Sequence, residues 1–393
     1  MIPRQIESEL HTLMDEFPIV TVLGPRQAGK TTLVRAALPE HQYVSLEDPE
    51  MRLLAEEDPK ALLKHYCGKT IFDEIQRVPQ LLSYLQGVVD EDKSNGRYVL
   101  TGSHQLELRQ AVTQSLAGRT GILNLLPFSI GELRAAGVHF DSFEQYAYQG
   151  FLPRIYDQKQ RPGAAYASYY QTYVERDVRQ LIHLKNASLF EKFIKLVAGR
   201  VGQLMDYHSL GNDVGVDGKT IKHWFSILEA SYIIFKLPPY YENFGKRAVK
   251  TPKYYFTDTG LLCHVLGIEE PAQVTRDPLV GAIFENLVLL ECLKARYNQG
   301  KQANLYFFRD SNGHEIDVLY PTARSLVGIE IKSASTYHPG FKQALAGFHA
   351  KLAPLARRYV VYNGQSLSFS DGVQVLRFDE VSGIFQTPPA PAT

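Results

Sequence analysis

The segment 24–31 constrains this chain more than any other, because it matches the pattern G-x-x-x-x-G-K-[ST] and follows an apolar run typical of a buried parallel strand. In this pattern glycines let backbone N–H groups close around phosphate oxygens, the lysine reaches the β- and γ-phosphates, and the hydroxyl binds Mg²⁺. The sequence therefore predicts a loop that binds ATP. The predicted contact residues are Gly24, Pro25, Arg26, Gln27, Ala28, Gly29, Lys30, Thr31 and Thr32.

Two adjacent carboxylates, Asp73 and Glu74, end a short apolar strand that is predicted within residues 70–74. The first can hold Mg²⁺ together with Thr31, and the second can polarise the water that attacks the γ-phosphate. For a lone pair of this kind the alternative is an exposed acidic strand end. Because the phosphate-binding loop lies upstream, we predict Mg²⁺-dependent hydrolysis with Lys30 and Glu74 as catalytic residues.

A third predicted strand, 97–101, leads to Ser103. If this strand end lies between the first two motifs, a hydroxyl on it can sense the γ-phosphate. Ser103 and Thr101 are the candidates, and an ordinary cap or turn residue is the competing interpretation.

Composition narrows the class of protein. The chain has 393 residues, of which 45% are hydrophobic, so we expect several cores and a multidomain globular protein. No apolar run approaches the ~20 residues of a membrane span, and no apolar signal segment follows the N-terminus, so we expect a cytoplasmic protein without membrane contact.

The 3 cysteines lack paired spacing and predict neither disulfides nor a zinc site. Basic and acidic residues balance at 42 each, so nucleic acid would have to bind to local patches.

The order of the predicted elements divides the chain. Apolar strands alternate with helices up to about residue 135, which is the pattern of an α/β domain with a parallel sheet. A mainly helical stretch, a helix-turn-helix pattern and a second α/β region follow. The fold class is therefore α/β, with these predicted segments: 1–135, ATPase core; 136–204, helical lid region; 205–255, winged helix-turn-helix; 256–386, C-terminal α/β domain; 387–393, flexible tail.

The helix-turn-helix pattern in segment 205–255 predicts contact with DNA. Two helices separated by a glycine-containing turn are followed by a strand-like stretch and a basic run at 246–253, which would form a wing. The side chains that the second helix would present are Lys219, Thr220, Lys222 and His223. A module that packs against protein is the competing interpretation, because a fold alone does not settle function.

A second chemical constellation lies near the C-terminus. Two alternating stretches read as hairpin strands that bring Asp317, Glu330 and Lys332 to one sheet face, with Glu285 approaching from a helix. Carboxylate oxygens of this kind suit Mg²⁺, so Glu285, Asp317 and Glu330 are the predicted metal ligands. Catalysis by Asp317, Glu330 and Lys332 would hydrolyse a phosphodiester. The alternative is the charged solvent face of an edge hairpin.

Taken together, these motifs resemble a family of prokaryotic AAA-type ATPases whose C-terminal domain is related in fold to PD-(D/E)XK nucleases. The resemblance covers nearly the whole chain. It is carried by residues 24–31, 72–76, 100–103, 116–119, 256–261 and 284–286, together with Asp317, Glu330 and Lys332. It implies a P-loop ATPase core, a winged-helix linker and a nuclease-like α/β domain, but not that every member cuts DNA.

The resemblance also points to Arg119 as a catalytic residue. An arginine there could complete the γ-phosphate site within the chain or from a neighbouring subunit, which would imply a homo-oligomer. The competing interpretation is that Arg119 is an ordinary surface arginine. Arg77 and Arg154 are weaker candidates for the catalytic arginine.

Two functions are compatible with these features. The leading hypothesis is a cytoplasmic ATPase that uses ATP and Mg²⁺ and is coupled to DNA binding or processing. The alternative is a nucleotide-switched factor that binds or remodels a protein partner, with a catalytically silent nuclease fold.

Overall fold

A computed structural model of the chain describes residues 1–103, 115–182, 184, 186–240, 249–322 and 325–386, so the predicted tail 387–393 lies outside the described residues. The N-terminal part contains a sheet whose strands all pair in parallel. These strands are β1 (Ile19–Leu23), β2 (Gln42–Ser45), β3 (Thr70–Asp73), β4 (Tyr98–Gly102) and β5 (Thr120–Asn124). Their order is β2-β3-β4-β1-β5, which confirms the predicted parallel sheet.

The carboxyl ends of the three central strands meet at one edge of this sheet. Leu23 of β1 lies opposite Gly102 of β4, and Phe72 of β3 lies opposite Leu100. Since β1 is buried along its whole length, its apolar sequence fits a strand covered on both faces. The neighbouring helices are Glu7–Glu16, Lys30–Ala37, Pro49–Glu57, Pro59–His65 and Leu81–Glu91. The three motifs of the predicted nucleotide site therefore leave the sheet side by side.

The middle of the chain is mainly helical. The apolar spacing predicts one helix at 165–184, but the helix Pro162–Tyr169 continues into a π-helix, Tyr170–Val178, and then into the short helix Arg179–Leu181. Three-four spacing does not reveal this change, because a π-helical stretch also buries one face of the segment. π-Helical turns are rare and occur frequently at functional sites. The other helices here are Ile130–Ala135, Phe143–Gln149, Pro153–Asp157 and Ala187–Ala198.

Two helices and a β-hairpin follow. The helices Tyr207–Val214 and Gly218–Ala230 are joined by a short turn. The antiparallel strands β6 (Ile234–Leu237) and β7 (Lys253–Phe256) come next. Residues 241–248, which include part of the predicted basic wing, lie outside the described residues. Assignment of this unit as a winged helix therefore stays a prediction.

The C-terminal part contains a mixed sheet of the strands β8 (Tyr306–Arg309), β9 (Glu315–Pro321), β10 (Leu326–Lys332), β11 (Leu355–Tyr362), β12 (Leu367–Ser368) and β13 (Val373–Arg377). The order is β12-β13-β11-β10-β9-β8. Strands β9 and β10 are antiparallel, as expected for the predicted hairpin, whereas β10 and β11 are parallel. The helices of this part are Thr259–Leu266, Pro271–Arg276, Val280–Tyr297 and Gln343–Lys351.

The helix Val280–Tyr297 connects the two halves of the molecule. Most of its residues are buried, including the charged Glu291 and Lys294. The ammonium of Lys294 donates to the carbonyl of Phe128 at 2.7 Å, and the amide of Ile130 donates to the Glu291 carboxylate at 2.9 Å. One hydrophobic cluster extends from the first sheet through this helix to the C-terminal residues. Among the described helices, none has the length and apolar character that crossing a membrane requires.

Candidate functional site

The backbone after β1 has the conformation of a phosphate-binding loop. A Cβ at position 24 would lie 2.0 Å from the carbonyl oxygen of Leu125, so Gly24 is required by this close approach. Gln27 and Gly29 have positive φ angles of 64° and 89°, and successive residues of alternating handedness turn their N–H groups toward one point. The helix Lys30–Ala37 begins directly after Gly29 and adds the positive end of its dipole.

Lys30 is buried within this loop. Its ammonium donates to the carbonyls of Gly24 at 3.0 Å and Pro25 at 2.9 Å. Burial lowers the pKa of Lys30, while the nearby Glu74 and Asp73 oppose that shift. The predicted lysine thus lies where it can reach the phosphates of a nucleotide cradled by the loop.

Thr31 and Asp73 meet at the start of this helix. The Thr31 hydroxyl lies 3.0 Å from both carboxylate oxygens of Asp73. Tyr43 of β2 also donates to Asp73 at 2.7 Å, and Thr101 of β4 donates to it as well. A hydroxyl and a carboxylate are the hard oxygen donors that Mg²⁺ takes at such sites, so the pair Thr31 and Asp73 fits the predicted ion. Burial and the bond to Asp73 raise the pKa of Tyr43, which keeps its hydroxyl a donor.

Glu74 is held in a strained position beside this pair. Its φ of 58° lies in the left-handed region, which a non-glycine residue adopts at a cost and often at functional sites. Its amide donates to the Thr101 hydroxyl at 3.2 Å, and the Ser103 hydroxyl donates to its Oε2 at 3.1 Å. Gln76 donates to the same carboxylate oxygen and, at 3.2 Å, to Ser103. The two hydroxyls predicted as sensors thus contact the carboxylates, and Gln76 is an additional partner.

Arg26 of the loop faces the helical region across a cleft. It pairs with Asp177 of the π-helix, and its guanidinium lies 4.0 Å from Glu47. The cleft has a volume of about 560 Å³ and is lined by Glu74 and Arg77 in addition to these residues. Water and a γ-phosphate beyond the loop would therefore face both acidic and basic side chains.

Arg4, which the motifs do not reveal, supports the loop from the N-terminus. Its guanidinium donates to the carbonyls of Ala28 at 2.9 Å and Leu126 at 2.6 Å, and to Glu132 at 3.0 Å. Glu132 itself is buried and forms a capping box with Ser129. No local pattern links residue 4 with residue 132, because the contact depends on the tertiary fold.

The position of Arg119 bears on its predicted role as a catalytic residue. This residue precedes β5, and its carbonyl accepts from the amide of Ile19 at the start of β1. Because β1 and β5 are parallel, Arg119 lies at the amino edge of the sheet, opposite the loop that follows β1. Its guanidinium pairs with Asp90 at 2.6 Å. Arg119 therefore does not complete the nucleotide site of its own chain; a contribution to a neighbouring subunit stays a prediction.

In the C-terminal sheet the predicted catalytic residues do converge. The ammonium of Lys332 lies 2.5 Å from Glu330 and 3.9 Å from Asp317. The Asp317 carboxylate also accepts the amide of Ile331 at 2.7 Å. Burial and then the neighbouring Glu330 raise the pKa of Asp317, and burial raises that of Glu330 as well.

The predicted metal set of Glu285, Asp317 and Glu330 is not assembled for a metal ion. Glu285 accepts the Tyr255 hydroxyl at 2.5 Å and the Lys253 ammonium at 3.2 Å. Lysines thus take carboxylate oxygens that a metal would need. Across the described part of the chain, no group of three or more His, Cys, Asp or Glu side chains has an arrangement that could hold a metal ion.

Three lysines surround a groove beside the helix-turn-helix. Lys222 of the second helix, Lys236 of β6 and Lys250 line a cavity of about 650 Å³, together with His208. Asp206 also lines it, but its carboxylate caps the helix Tyr207–Val214. Most of the charged side chains that line the groove are therefore basic.

Other residues of the predicted DNA surface have different environments. The Thr220 hydroxyl donates to Asp217 at 2.7 Å as part of the helix cap. Lys253, which the basic run assigned to the wing, is buried and forms ion pairs with Glu285 and Glu315. Lys253 is therefore unavailable to DNA, because its charge is neutralised inside the protein.

Comparison with known proteins agrees with the nucleotide site. Residues 16–134 match the family model of an AAA domain. Residues 140–272 and 280–381 each match a domain of unknown function, DUF8612 and DUF4143. Uncharacterised proteins of Mycobacterium tuberculosis and Mycobacterium bovis are 29% identical over 384 residues, which cover 96% of this chain and 84% of theirs.

Solved structures show weaker similarity. A Walker-type ATPase of Pyrococcus abyssi is 15% identical, with a TM-score of 0.45 over 67% of this chain and 96% of that one. DnaA of Aquifex aeolicus bound to AMPPCP is 12% identical, with a TM-score of 0.29 over 57% of this chain and 85% of that one. Such scores add nothing to the argument from the site. The loop geometry, the carboxylate pair and the matching domain together support an ATP-hydrolysing P-loop domain of the AAA type in residues 16–134.

Proposed function

We propose that this chain is a Mg²⁺-dependent ATPase that couples hydrolysis in its P-loop domain to the binding of DNA in the basic groove. The groove is the observation that carries the DNA-binding part of the proposal. Lys222, Lys236 and Lys250 come from three separate chain segments and line one cavity. Clustered lysines on one face are the electrostatic signature of a surface that contacts phosphates.

In the ATPase reaction the loop amides and Lys30 would bind the phosphates, and Thr31 and Asp73 would hold Mg²⁺. The ion, when bound, neutralises charge on the β- and γ-phosphates. Glu74 would accept a hydrogen bond from the attacking water and orient it toward the γ-phosphate. Ser103 and Gln76 fix the carboxylate of Glu74 for this task, since both donate to its Oε2.

Side-chain contacts connect the nucleotide site with the groove. Arg26 of the phosphate-binding loop pairs with Asp177 of the π-helix. In the same helix the Tyr173 hydroxyl donates to the carbonyl of Ser231 at 2.9 Å, just after the helix that carries Lys222. We therefore propose that a change at Arg26 on nucleotide binding shifts the π-helix and with it the groove.

The ATPase part is tested by Lys30→Ala. Because this substitution removes the charge that contacts the phosphates, turnover should fall by about 10²–10³-fold or more. Lys64→Ala, on the exposed side of the helix Pro59–His65, is the matched control and should keep the parent rate. Equal ATP hydrolysis by the parent and Lys30→Ala would show that the loop is not the ATPase site.

The DNA part is tested by fluorescence anisotropy with a labelled duplex at several salt concentrations. Replacing Lys222, Lys236 and Lys250 by glutamate should weaken binding, and each lysine lost should reduce the salt slope by about 1. Lys60→Glu, a charge reversal at an exposed residue of the P-loop domain, serves as control. An unchanged affinity and slope in the triple variant would disprove the groove as the DNA site.

One observation favours the second function, a nucleotide-switched factor for a protein partner. The predicted C-terminal metal ligands Glu285 and Glu330 are engaged by Lys253 and Lys332, which suits a silent nuclease fold. In that case ATP binding without hydrolysis, in Glu74→Gln, should increase capture of the partner protein, while duplex DNA should leave the ATPase rate unchanged.

A further inference from the structure

Strand β7 places a lysine between carboxylates of two other elements. The Lys253 ammonium lies 3.2 Å from Glu285, on the helix Val280–Tyr297, and 2.6 Å from Glu315, on β9. Its side chain is only 5% exposed and lies 5.4 Å from the ring centroid of Phe307. A buried ammonium in this position is a fixed internal positive charge, because moving it into solvent would take the nearest cation away from two partly buried carboxylates.

Glu285 and Glu315 each have a second partner besides Lys253. Glu285 accepts the hydroxyl of Tyr255, also on β7, at 2.5 Å. The second oxygen of Glu315 lies 3.3 Å from Arg309 of β8. Three strands and one helix therefore meet at a cluster in which basic and hydroxyl groups surround the acidic oxygens.

We propose that Lys253 is the resident cation of this cluster, that it takes the place of a divalent metal ion, and that it joins the β6–β7 hairpin to the C-terminal sheet. A divalent cation binds carboxylate oxygens at about 2.0–2.6 Å and usually needs several of them. The Lys253 ammonium already lies at hydrogen-bonding distance from two of the nearest carboxylates. The C-terminal nuclease-like site then has a mechanical role rather than a metal-dependent one.

This inference is independent of the proposed ATPase and DNA-binding functions. The nucleotide site and the basic groove use other residues, and either can fail without changing the contacts of Lys253. Lys332 and Glu330 have a different role in this arrangement. Their ion pair lies beside the cluster and stabilises it, instead of orienting a metal-bound nucleophile.

The test is a titration with Tb³⁺, a hard cation that mimics divalent ions and emits light when a nearby tyrosine absorbs. Tyr255 donates to Glu285 and would excite an ion bound there. The full-length chain should carry Thr31→Ala and Asp73→Asn, so that the nucleotide site contributes no signal. This background protein should show no saturable emission that depends on Glu285.

Lys253→Met in the same background should gain a saturable Tb³⁺ signal, because Glu285 and Glu315 lose their internal cation. Adding Glu285→Gln should abolish the gain, and Lys253→Arg, which retains the charge, should show none. Lys253→Gln is the second choice if the methionine variant does not fold. Saturable emission from the background protein that disappears with Glu285→Gln would overturn the proposal, as would a folded Lys253→Met protein without any gain.

Discussion

The hydroxyl of Ser103 donates a 3.1 Å hydrogen bond to Oε2 of Glu74, so the end of one strand fixes the side chain that follows its neighbour. Gln76 shares the same oxygen. Phosphate binding and orientation of water therefore depend on different side chains. Lys30 and Thr31 would contact the phosphates, whereas Ser103 contacts the residue that would orient the water. Loss of Ser103 should therefore impair chemistry more than nucleotide binding.

We expect Ser103→Ala to lower the kcat of ATP hydrolysis by up to about 10²-fold, because a small displacement of a positioned group can cost that much. The affinity for ATP, measured with a fluorescent analogue, should stay within about twofold of the parent, since nucleotide binding depends on other groups. Ser103→Thr retains the hydroxyl and should recover most of the rate. A parent-like kcat in Ser103→Ala would mean that Gln76 alone positions Glu74.

Arg119→Ala should leave the ATPase rate of dilute, monomeric protein unchanged. The reason is its position at the amino edge of the sheet, where it pairs with Asp90. Hydrolysis should be measured over a wide range of protein concentration, with Asp90→Ala as the matched control for loss of the ion pair. A rate that rises with concentration in the parent but not in Arg119→Ala would instead assign this residue to the site of a neighbouring subunit.

Tyr173→Phe should uncouple the groove from the nucleotide site. The substitution removes one buried hydroxyl, which donates to the Ser231 carbonyl at 2.9 Å, and preserves the packing of the ring. We expect the basal ATPase rate and the affinity for duplex DNA to remain, whereas stimulation of hydrolysis by DNA is lost. Tyr170→Phe, in the same π-helix, is the control. Normal stimulation in Tyr173→Phe would exclude this contact from the coupling.

The buried carboxyl group of Asp258 should make the stability of the fold depend on pH. This carboxylate accepts hydrogen bonds from the Tyr166 hydroxyl at 2.7 Å and the Phe151 amide at 3.0 Å. Burial raises its pKa, although the bond from Tyr166 opposes the shift. Between the usual carboxyl pKa and the raised value, the folded protein then binds more protons than the unfolded chain, so stability falls as the pH rises.

Asp258→Asn removes this contribution. The Tm of the parent minus the Tm of Asp258→Asn should therefore decrease as the pH rises from roughly 4 to 8, a range that begins at the usual Asp pKa. Calorimetry at several pH values measures it, and Asp277→Asn provides a carboxyl outside this network. A difference that grows with pH would contradict the assignment of a raised pKa.

The nucleotide site was predictable because most of its residues belong to short motifs that are continuous in the sequence. Lys30, Thr31, Asp73 and Glu74 lie where the pattern requires, since each lies at or after the end of a strand with an apolar sequence. Ser103 was predictable for the same reason, at the end of β4. Parallel strands then place all these ends at one edge without any further information.

Contacts between distant segments were not predictable. Tyr43 and Arg4 reach the site through pairings that no local spacing encodes. Lys253 was misassigned because a basic run suggests a solvated surface, whereas its position in β7 turns this lysine inward between acidic partners. The amino-edge position of Arg119 follows from its place before β5 in a parallel sheet, whereas its ion pair with Asp90 depends on the tertiary fold.

The contacts of the helix Val280–Tyr297 limit where the chain can be truncated. Its Lys294 satisfies the carbonyl of Phe128, and its Glu291 satisfies the amide of Ile130, both near the C-terminal end of the P-loop domain. A shortened gene that ends before residue 280 would leave these backbone groups buried and unpaired, or exposed together with the surrounding core. Deletion of the C-terminal part is therefore a poor way to learn what that part contributes, because it would damage the ATPase at the same time.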